Sequence, residues 1–177
     1  MNYLLDRQDL YNLDKNEIIE LLQLQGDDFI KLIKKANEIR LKYRGDKVYF
    51  RGLIEYSNIC RKNCFYCGIR SGNKNFIRYT IKDDEFYNAV KFAIRERYGS
   101  LVIQSGENTS PAFIEKITEY IKEIKRISND KLGITLSLGE QSLETYQKWY
   151  DAGVHRYLLR IEESNPELYK KLHPQDG

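Results

Sequence analysis

Cysteine is the residue type whose spacing in this chain most clearly indicates chemistry. The three cysteines, Cys60, Cys64 and Cys67, are separated by three residues and then by two, so one compact loop can bring all three sulfurs together. An odd number of cysteines this close together is a poor basis for disulfides but a good one for a metal site in a reducing compartment. Thiolates are the usual ligands of iron–sulfur clusters. We therefore predict that residues 60–67, the cysteine loop, bind a 4Fe-4S cluster in which three cysteine ligands leave one iron open.

Two other interpretations of the cysteine loop stay open at this point. A structural zinc site normally has four protein ligands, and either His155 or His173 would have to be the fourth. Neither histidine is close to the loop in sequence. The three thiols could also be unliganded core side chains, although charged neighbours such as Arg61 and Lys62 are uncommon in a core. The tight spacing favours the cluster.

The segments around the cysteine loop alternate between strand and helix patterns. Short apolar runs predict strands, and apolar positions three and four residues apart predict helices. The predicted strands run from Val48 to Tyr56, Leu101 to Gln104, Leu132 to Leu138 and Tyr157 to Glu162. The predicted helices are a segment capped by Thr80 that reaches Arg97, then Pro111 to Ile127, Ser142 to Ala152, and a segment opened by Asn165. The cysteine loop thus follows the first strand.

This alternation predicts an α/β fold with a parallel sheet and right-handed crossovers. Polar residues follow the predicted strands, as at the active-site end of a (β/α)8 barrel. A closed barrel takes about 250 residues, whereas this chain has 177 and reaches about four strands. We expect a helical N-terminal preface over residues 1–45 and a truncated barrel, the N-terminal half, over residues 46–177.

Composition argues against several classes of function. The sequence is 41% hydrophobic and 12% aromatic, as expected of a globular protein. Its 29 basic and 26 acidic residues are mixed along the chain, so we expect no nucleic-acid partner. There is no signal-peptide pattern and no apolar run of about 18 residues. These features predict a cytoplasmic protein with no membrane partner.

From Arg51 to Arg70 the chain resembles the radical SAM superfamily, whose members carry this cysteine spacing directly after the first barrel strand. Tyr66 stands where these enzymes have an aromatic residue before the last cysteine. The resemblance implies that S-adenosylmethionine (SAM) chelates the open iron. It also implies that one electron from an electron donor cleaves SAM to methionine and a 5′-deoxyadenosyl radical. The implied fold is a TIM-type barrel, of which residues 46–177 would be the N-terminal half.

Four stretches are similar to the iron-only (FeFe) hydrogenase maturases of the HydE type. They are EYSNICRKNC at 55–64, QSGE at 104–107, TLSLGE at 135–140 and YLLR at 157–160. Biotin synthase and methylornithine synthase are near relatives with the same layout. The resemblance implies a role in building the diiron centre of FeFe hydrogenase. A small-molecule or iron-bound substrate and other hydrogenase maturases would then be the partners.

The resemblance also places SAM contacts after the second strand. Ser105, Gly106 and Glu107 match the segment that meets the methionyl amino group. Gly106 would permit close approach of the backbone, and Glu107 would supply an acceptor. A Gly-Glu pair at a strand end also occurs in ordinary loops, so this assignment depends on the cysteines.

Three further residues match family positions near bound SAM: Ser137 after the third strand, and Arg160 and Glu162 on the fourth. Arg160 could form a forked contact with a carboxylate. Residues two apart on a strand share a face, so an internal salt bridge between Arg160 and Glu162 is the alternative. The resemblance assigns no catalytic residue.

Three functional hypotheses follow from the sequence. The first is an active radical SAM enzyme in hydrogenase maturation, with a biotin synthase-like or methylornithine synthase-like enzyme as its variant. The second is a truncated, non-catalytic relative that binds the cluster without turnover. The third is a zinc-binding module.

Overall fold

The computed structural model describes residues 3–7 and 12–174. They belong to two compact units, the first ending at Val48 and the second beginning at Tyr49. Within the described ranges, every helix is too short or too polar to cross a membrane.

The first unit is helical. It contains a 3-10 turn at Tyr3–Asp6, helix α1 at Lys15–Leu22 and helix α2 at Gly26–Arg44. Helix α1 begins with a capping box, in which Asp14 accepts backbone N–H bonds from the first turn and Glu17 accepts the N–H of Asp14. Leu4, Leu5 and Leu21 form a small core of this unit. The described residues of this unit are thus mainly helical.

The second unit alternates strands and helices. Its elements are β1 at Arg51–Ser57, α3 at Asp83–Arg95, β2 at Ser100–Ser105, α4 at Pro111–Ile127, β3 at Gly133–Ser137, α5 at Leu143–Asp151, β4 at Arg156–Tyr157 and α6 at Pro166–Leu172. The strands form one sheet in the order β1-β2-β3-β4, and each neighbouring pair is parallel. The predicted α/β fold with four parallel strands is confirmed.

The core of the second unit lies on the helix-covered side of the sheet. Ile103 of β2 and Leu136 of β3 are fully buried there. Phe86 of α3 stacks on Tyr120 of α4 with ring centroids 3.8 Å apart. Strand side chains alternate between the two faces, and Leu53, next to the buried Ile54 of β1, is 56% exposed. The helices therefore fix the strands from one side and leave their carboxyl ends free to carry the site.

The fourth strand is shorter than predicted. It covers Arg156–Tyr157 and does not reach Glu162. The N–H of Leu158 still bonds to β3, but β3 ends at Ser137, so the chain beyond has no ladder partner. Glu162 also has a left-handed φ of 54°, which interrupts extended backbone. Arg160 and Glu162 therefore lie on the loop after β4, and their predicted position on a strand is wrong.

The helix cap predicted at Thr80 is also wrong. Helix α3 begins at Asp83, and the N–H of Lys82 donates to the Glu85 carboxylate at 3.0 Å. Thr80 instead pairs with Ser57 in an antiparallel bridge, with the two hydroxyls 3.0 Å apart. The segment that follows the cysteine loop is thereby tied to the end of β1.

Candidate functional site

The cysteine loop leaves the carboxyl end of β1 and borders one cavity of about 490 Å³. Its three cysteines are free thiols of intermediate exposure. The same cavity is bordered by every residue that the resemblance associated with SAM, namely Tyr66, Ser105, Gly106, Glu107, Ser137, Arg160 and Glu162. The fold thus brings all of the predicted site residues around one space, while their individual roles stay predictions.

Backbone hydrogen bonds shape the cysteine loop. The N–H of Cys67 donates to the carbonyl of Cys64 at 3.0 Å, which forms a tight turn between the last two thiols. The N–H of Ser71 donates to the carbonyl of Lys62 at 2.8 Å and closes the loop on itself. These hydrogen bonds therefore fix the backbone conformation of the loop that carries the thiols.

Arg78 fixes the loop from outside. Its Nη1 donates to the carbonyls of Asn58 at 2.5 Å and Ile69 at 2.7 Å. Its Nη2 donates to the carbonyls of Arg70 at 2.6 Å and Asn73 at 3.1 Å. One guanidinium thus joins the entry and exit of the cysteine loop. The sequence contained no motif that singled out this arginine.

Gly106 is where the chain after β2 meets the cysteine loop. A Cβ at this position would lie 2.3 Å from the carbonyl oxygen of Ile59 and 2.6 Å from Cβ of Cys60. The N–H of Gly106 donates to the Ser57 carbonyl at 3.1 Å, and the N–H of Glu107 donates to Sγ of Cys60 at 3.3 Å. Glycine is therefore required for the contact between two loops, in addition to any approach to a ligand.

Glu107 is a nearly buried carboxylate, 7% exposed. Its Oε2 accepts the N–H of Glu140 at 2.8 Å, and its Oε1 lies 3.6 Å from Nε of Arg61 and 3.9 Å from Nζ of Lys62. Burial raises the pKa of Glu107, and the backbone donor and the two cations partly offset that effect. The site therefore contains a carboxylate held in a position where water stabilises it poorly.

Lys62, Gly139 and Glu140 also border the cavity, although the sequence did not predict them as site residues. Nζ of Lys62 lies 3.2 Å from Oε2 of Glu140 and joins the cysteine loop to the turn after β3. Gly139 has φ of 77°, and a Cβ there would lie 2.5 Å from Cβ of Glu107. The TLSLGE stretch contains Gly139 and Glu140, so it could have indicated these two residues.

Arg160 and Glu162 form an ion pair on the cavity wall, with Nη1 and Oε1 3.7 Å apart. The Arg160 side chain is 66% exposed, and exposed pairs of this kind are weak. Its guanidinium can therefore exchange Glu162 for the carboxylate of a ligand.

Ser105 donates its hydroxyl to the carbonyl of Gly106 at 2.7 Å.

Helix α6 ends against the cysteine loop. The N–H of Phe65 donates to the carbonyl of Leu172 at 3.0 Å, and the hydroxyl of Tyr66 lies 2.7 Å from Nε2 of His173. The His173 ring is stacked on Tyr169, with centroids 4.0 Å apart. The sequence suggested His173 only as a zinc ligand. Its contact with Tyr66 joins positions 107 residues apart, and no sequence pattern marks it.

The donor set fits a cluster better than a single zinc ion. Across residues 3–7 and 12–174, no three His, Cys, Asp or Glu side chains converge where one ion could be held. His173 is engaged by Tyr66, and His155 borders a different cavity, with Nδ1 2.8 Å from the Ile134 carbonyl. Structural zinc takes four protein ligands, and in the described residues neither histidine is placed beside the three thiols as the fourth. Thiolates are the usual ligands of iron–sulfur clusters, so the donor set fits such a cluster.

The three thiols also influence one another electrostatically. Burial raises the pKa of the Cys64 thiol, the Tyr66 hydroxyl partly offsets this, and the neighbouring Cys60 and Cys67 raise it further. Negative charge on the two neighbouring sulfurs therefore opposes ionisation of the Cys64 thiol.

Comparison with known proteins shows what the whole chain is similar to. A sequence profile of the Radical SAM superfamily matches residues 54–176. The FeFe hydrogenase maturase subunit HydE of Thermotoga maritima is 46% identical over 144 residues, which cover 81% of this chain and 40% of the relative. A biotin synthase of Staphylococcus epidermidis is 30% identical over 156 residues, covering 86% of this chain and 48% of the relative. The chain thus spans less than half the length of these curated relatives.

A solved structure shows the same fold. The crystal structure of methylornithine synthase superposes with a TM-score of 0.81 at 24% sequence identity, covering 98% of this chain and 50% of that protein. Together these comparisons confirm the resemblance that the cysteine loop and the four flanking stretches predicted.

Proposed function

The chain belongs to the radical SAM superfamily, and we propose that it binds a 4Fe-4S cluster and SAM beside the cysteine loop. Radical SAM enzymes in general use this cluster, SAM and a reductant. The observation that carries the proposal is the shared cavity, where Cys60, Cys64 and Cys67 lie beside Gly106 and Glu107. When bound, the cluster supplies the electron that cleaves SAM to methionine and a 5′-deoxyadenosyl radical.

Each cysteine thiolate would hold one iron, and the remaining iron would stay available to the amino and carboxylate groups of SAM. Cys60 Sγ is already oriented by the N–H of Glu107 at 3.3 Å. The tight turn from Cys64 to Cys67 keeps the other two thiols in the same loop. The chain would therefore hold three thiolates in one loop, and hydrogen bonds within that loop fix its backbone path.

The Glu107 carboxylate would accept a hydrogen bond from the methionyl ammonium group of SAM. Its carboxylate is 7% exposed, and a charged acceptor is electrostatically stronger when little water surrounds it. Arg61 and Lys62 lie at 3.6 Å and 3.9 Å from it, beyond ordinary hydrogen-bond distance. A ligand ammonium can therefore add a direct hydrogen bond to Oε1, whereas Oε2 already accepts the N–H of Glu140.

Arg160 would bind the methionyl carboxylate, with Ser137 and Glu162 on the same cavity wall. Its guanidinium is mostly exposed and only loosely paired at 3.7 Å. Tyr66 would contact SAM from within the cysteine loop. These roles are supported by position in the cavity and by the resemblance to the superfamily.

The biological role that we propose is maturation of the diiron centre of FeFe hydrogenase. It is supported by the 46% identity to HydE of Thermotoga maritima. An electron donor, a small-molecule or iron-bound substrate and other hydrogenase maturases would be the partners. A cytoplasmic location stays a prediction from the sequence.

A second candidate function is binding of the cluster and SAM without turnover. It is favoured by the sheet, which has four strands in the described residues and leaves Leu53 of β1 56% exposed. Radical chemistry requires a site closed to water. A biotin synthase-like or methylornithine synthase-like activity is a further alternative, and identification of the substrate would distinguish it.

Product analysis after anaerobic reconstitution separates these functions. We expect the wild-type chain to bind about four irons and four sulfides and, with dithionite and SAM, to release 5′-deoxyadenosine. Cys64→Ala should bind no stable cluster. A cluster without 5′-deoxyadenosine would establish the second candidate, and stoichiometric zinc without iron would overturn both.

A further inference from the structure

Lys62 lies between two carboxylates that border the cavity of the cysteine loop. Its Nζ is 3.2 Å from Oε2 of Glu140 and 3.9 Å from Oε1 of Glu107. Only the shorter of these two distances is a hydrogen bond. Lys62 is thus bonded to Glu140 and lies next to Glu107 without a direct bond to Oε1.

Burial alone would predict the opposite choice of partner. The Glu107 side chain is 7% exposed, whereas that of Glu140 is 55% exposed. Lys62 is itself only 15% exposed, and two charges attract each other more strongly where little water lies between them. A direct bond to Glu107 would therefore be favourable, and the bond to Glu140 is what competes with it.

The turn after β3 fixes the Glu107 carboxylate by its other oxygen. Oε2 accepts the N–H of Glu140 at 2.8 Å, and a Cβ at Gly139 would lie 2.7 Å from that same oxygen. Glu140 therefore contacts Glu107 through its backbone and Lys62 through its side chain. A substitution of the Glu140 side chain can separate these two contacts.

Arg61 is a second cation near Oε1 of Glu107 and is also bonded elsewhere. Its Nε lies 3.6 Å from Oε1, while its Nη1 donates to the Thr109 hydroxyl at 2.5 Å. Oε1 is the oxygen at which the proposed function places the SAM ammonium group. A lysine ammonium bonded directly to Oε1 would compete with that ligand for the same acceptor.

We propose that Glu140 is a positioning residue that holds Lys62 away from Oε1 of Glu107 and so keeps this oxygen open to the ammonium group of SAM. This inference rests on the proposed contact between Glu107 and SAM. Glu140 acts through Lys62 and does not touch SAM in this account.

A double-mutant cycle of SAM affinity tests this role. Anaerobic calorimetry on the oxidised, cluster-loaded chain measures binding, because no electron is then available to cleave SAM. Glu140→Gln keeps the backbone N–H that donates to Glu107 but releases Lys62, so we expect SAM to bind about tenfold more weakly. Lys62→Met keeps the apolar stem and removes the ammonium. In that background Glu140→Gln should leave the SAM affinity unchanged.

The cycle separates this role from two others. If Glu140 attracted the SAM ammonium directly, or merely supported the loop, Glu140→Gln would weaken binding in both backgrounds alike. Either that result or an unchanged affinity in Glu140→Gln alone would overturn the proposal. The exposed Glu119→Gln is the matched control for loss of one negative charge and should bind SAM like the wild type.

Urea unfolding of the cluster-free chain provides a second cycle that does not depend on reconstitution. Lys62→Met and Glu140→Gln should affect the unfolding equilibrium non-additively, because each change removes the partner of the other. Additive effects would overturn the proposal, since the ion pair would then not hold Lys62. A wild-type chain that takes up no iron, or whose cluster binds no SAM, would instead refute the proposed function.

Discussion

Gly106 is the residue at which the effect of one methyl group is best defined. In Gly106→Ala the new Cβ would lie 2.3 Å from the backbone oxygen of Ile59, so the two loops must separate. We expect the free energy of unfolding to fall by about 1–3 kcal/mol, as in other overpacked sites, and iron uptake to fall with it. Urea denaturation and iron analysis measure the two effects.

Gly68→Ala is the control for this prediction. It lies directly after the last cysteine, and a Cβ there would have no atom within 4 Å. Its stability and iron content should match those of the wild type. Equal stability of Gly106→Ala and Gly68→Ala would contradict the proposed contact between the loops.

Glu107 tests the assignment of the SAM ammonium contact. Gln keeps an oxygen to accept the N–H of Glu140 but removes the charge. Hydrogen bonds to charged groups contribute about 1.5–3 kcal/mol, so we expect SAM to bind at least about tenfold more weakly to Glu107→Gln. Cluster content should not change. Anaerobic calorimetry, with the exposed Glu119→Gln as control, measures this; undiminished SAM affinity would rule out the assigned role.

At the scale of elements, Arg78 joins the entry and exit of the cysteine loop through four carbonyls. Lysine cannot reproduce this forked pattern. We expect Arg78→Lys to lose about 2 kcal/mol of stability or more, to bind less iron, and to exchange amide hydrogens faster in residues 58–73. Arg95→Lys, an exposed change on α3, should affect none of these. Unchanged exchange in the loop would contradict the role of Arg78.

Helices α3 and α4 are linked by Asp83. Lys116 donates to its carboxylate at 2.6 Å and Tyr120 at 2.7 Å, and these bonds lower the pKa of Asp83. A carboxyl with a lowered folded pKa stabilises the fold above its unfolded value of about 3.9, and this contribution is lost as pH falls through the folded value.

We therefore expect Asp83→Asn to be less stable than the wild type at pH 7 and to approach it as the pH falls below about 4. Thermal unfolding at pH 7, 5 and 3 measures this, and Asp84→Asn on the same turn is the control. A stability difference that stays constant across these pH values would show that the Asp83 carboxylate does not titrate as described.

The elements that the sequence predicted well are those determined by their own periodicity. The stripe of Phe113, Ile117, Tyr120 and Ile124 defines α4 whatever lies around it, and all four are buried. In contrast, Thr80 bonds to Ser57 rather than capping a helix, because the bridge to β1 is a tertiary contact. Strand β4 stops early because strand length depends on a neighbouring strand, which no local pattern encodes.

At the scale of the whole molecule, the predicted site residues come from four strand ends and meet only when the sheet is formed. Their types and positions could be recognised because parallel strands place their carboxyl ends at one edge. The partners that were missed, Arg78 and His173, act from segments outside the motifs. Lys62 lies in the cysteine loop, but its contact with Glu140 forms only in the folded chain and could not be predicted from the sequence.

The chain spans 40% of the length of its HydE relative, so binding and turnover are separate questions for it. The residues that we propose to bind the cluster and SAM all lie in this chain and border one cavity. Turnover depends in addition on exclusion of water. The central claim is therefore the joint site for cluster and SAM.

The most direct test of that claim is the electron paramagnetic resonance spectrum of the reconstituted, dithionite-reduced chain before and after addition of SAM. We predict a reduced 4Fe-4S signal that changes shape when SAM ligates the open iron, and no such signal in Cys64→Ala. A wild-type cluster signal that SAM leaves unchanged would contradict the account.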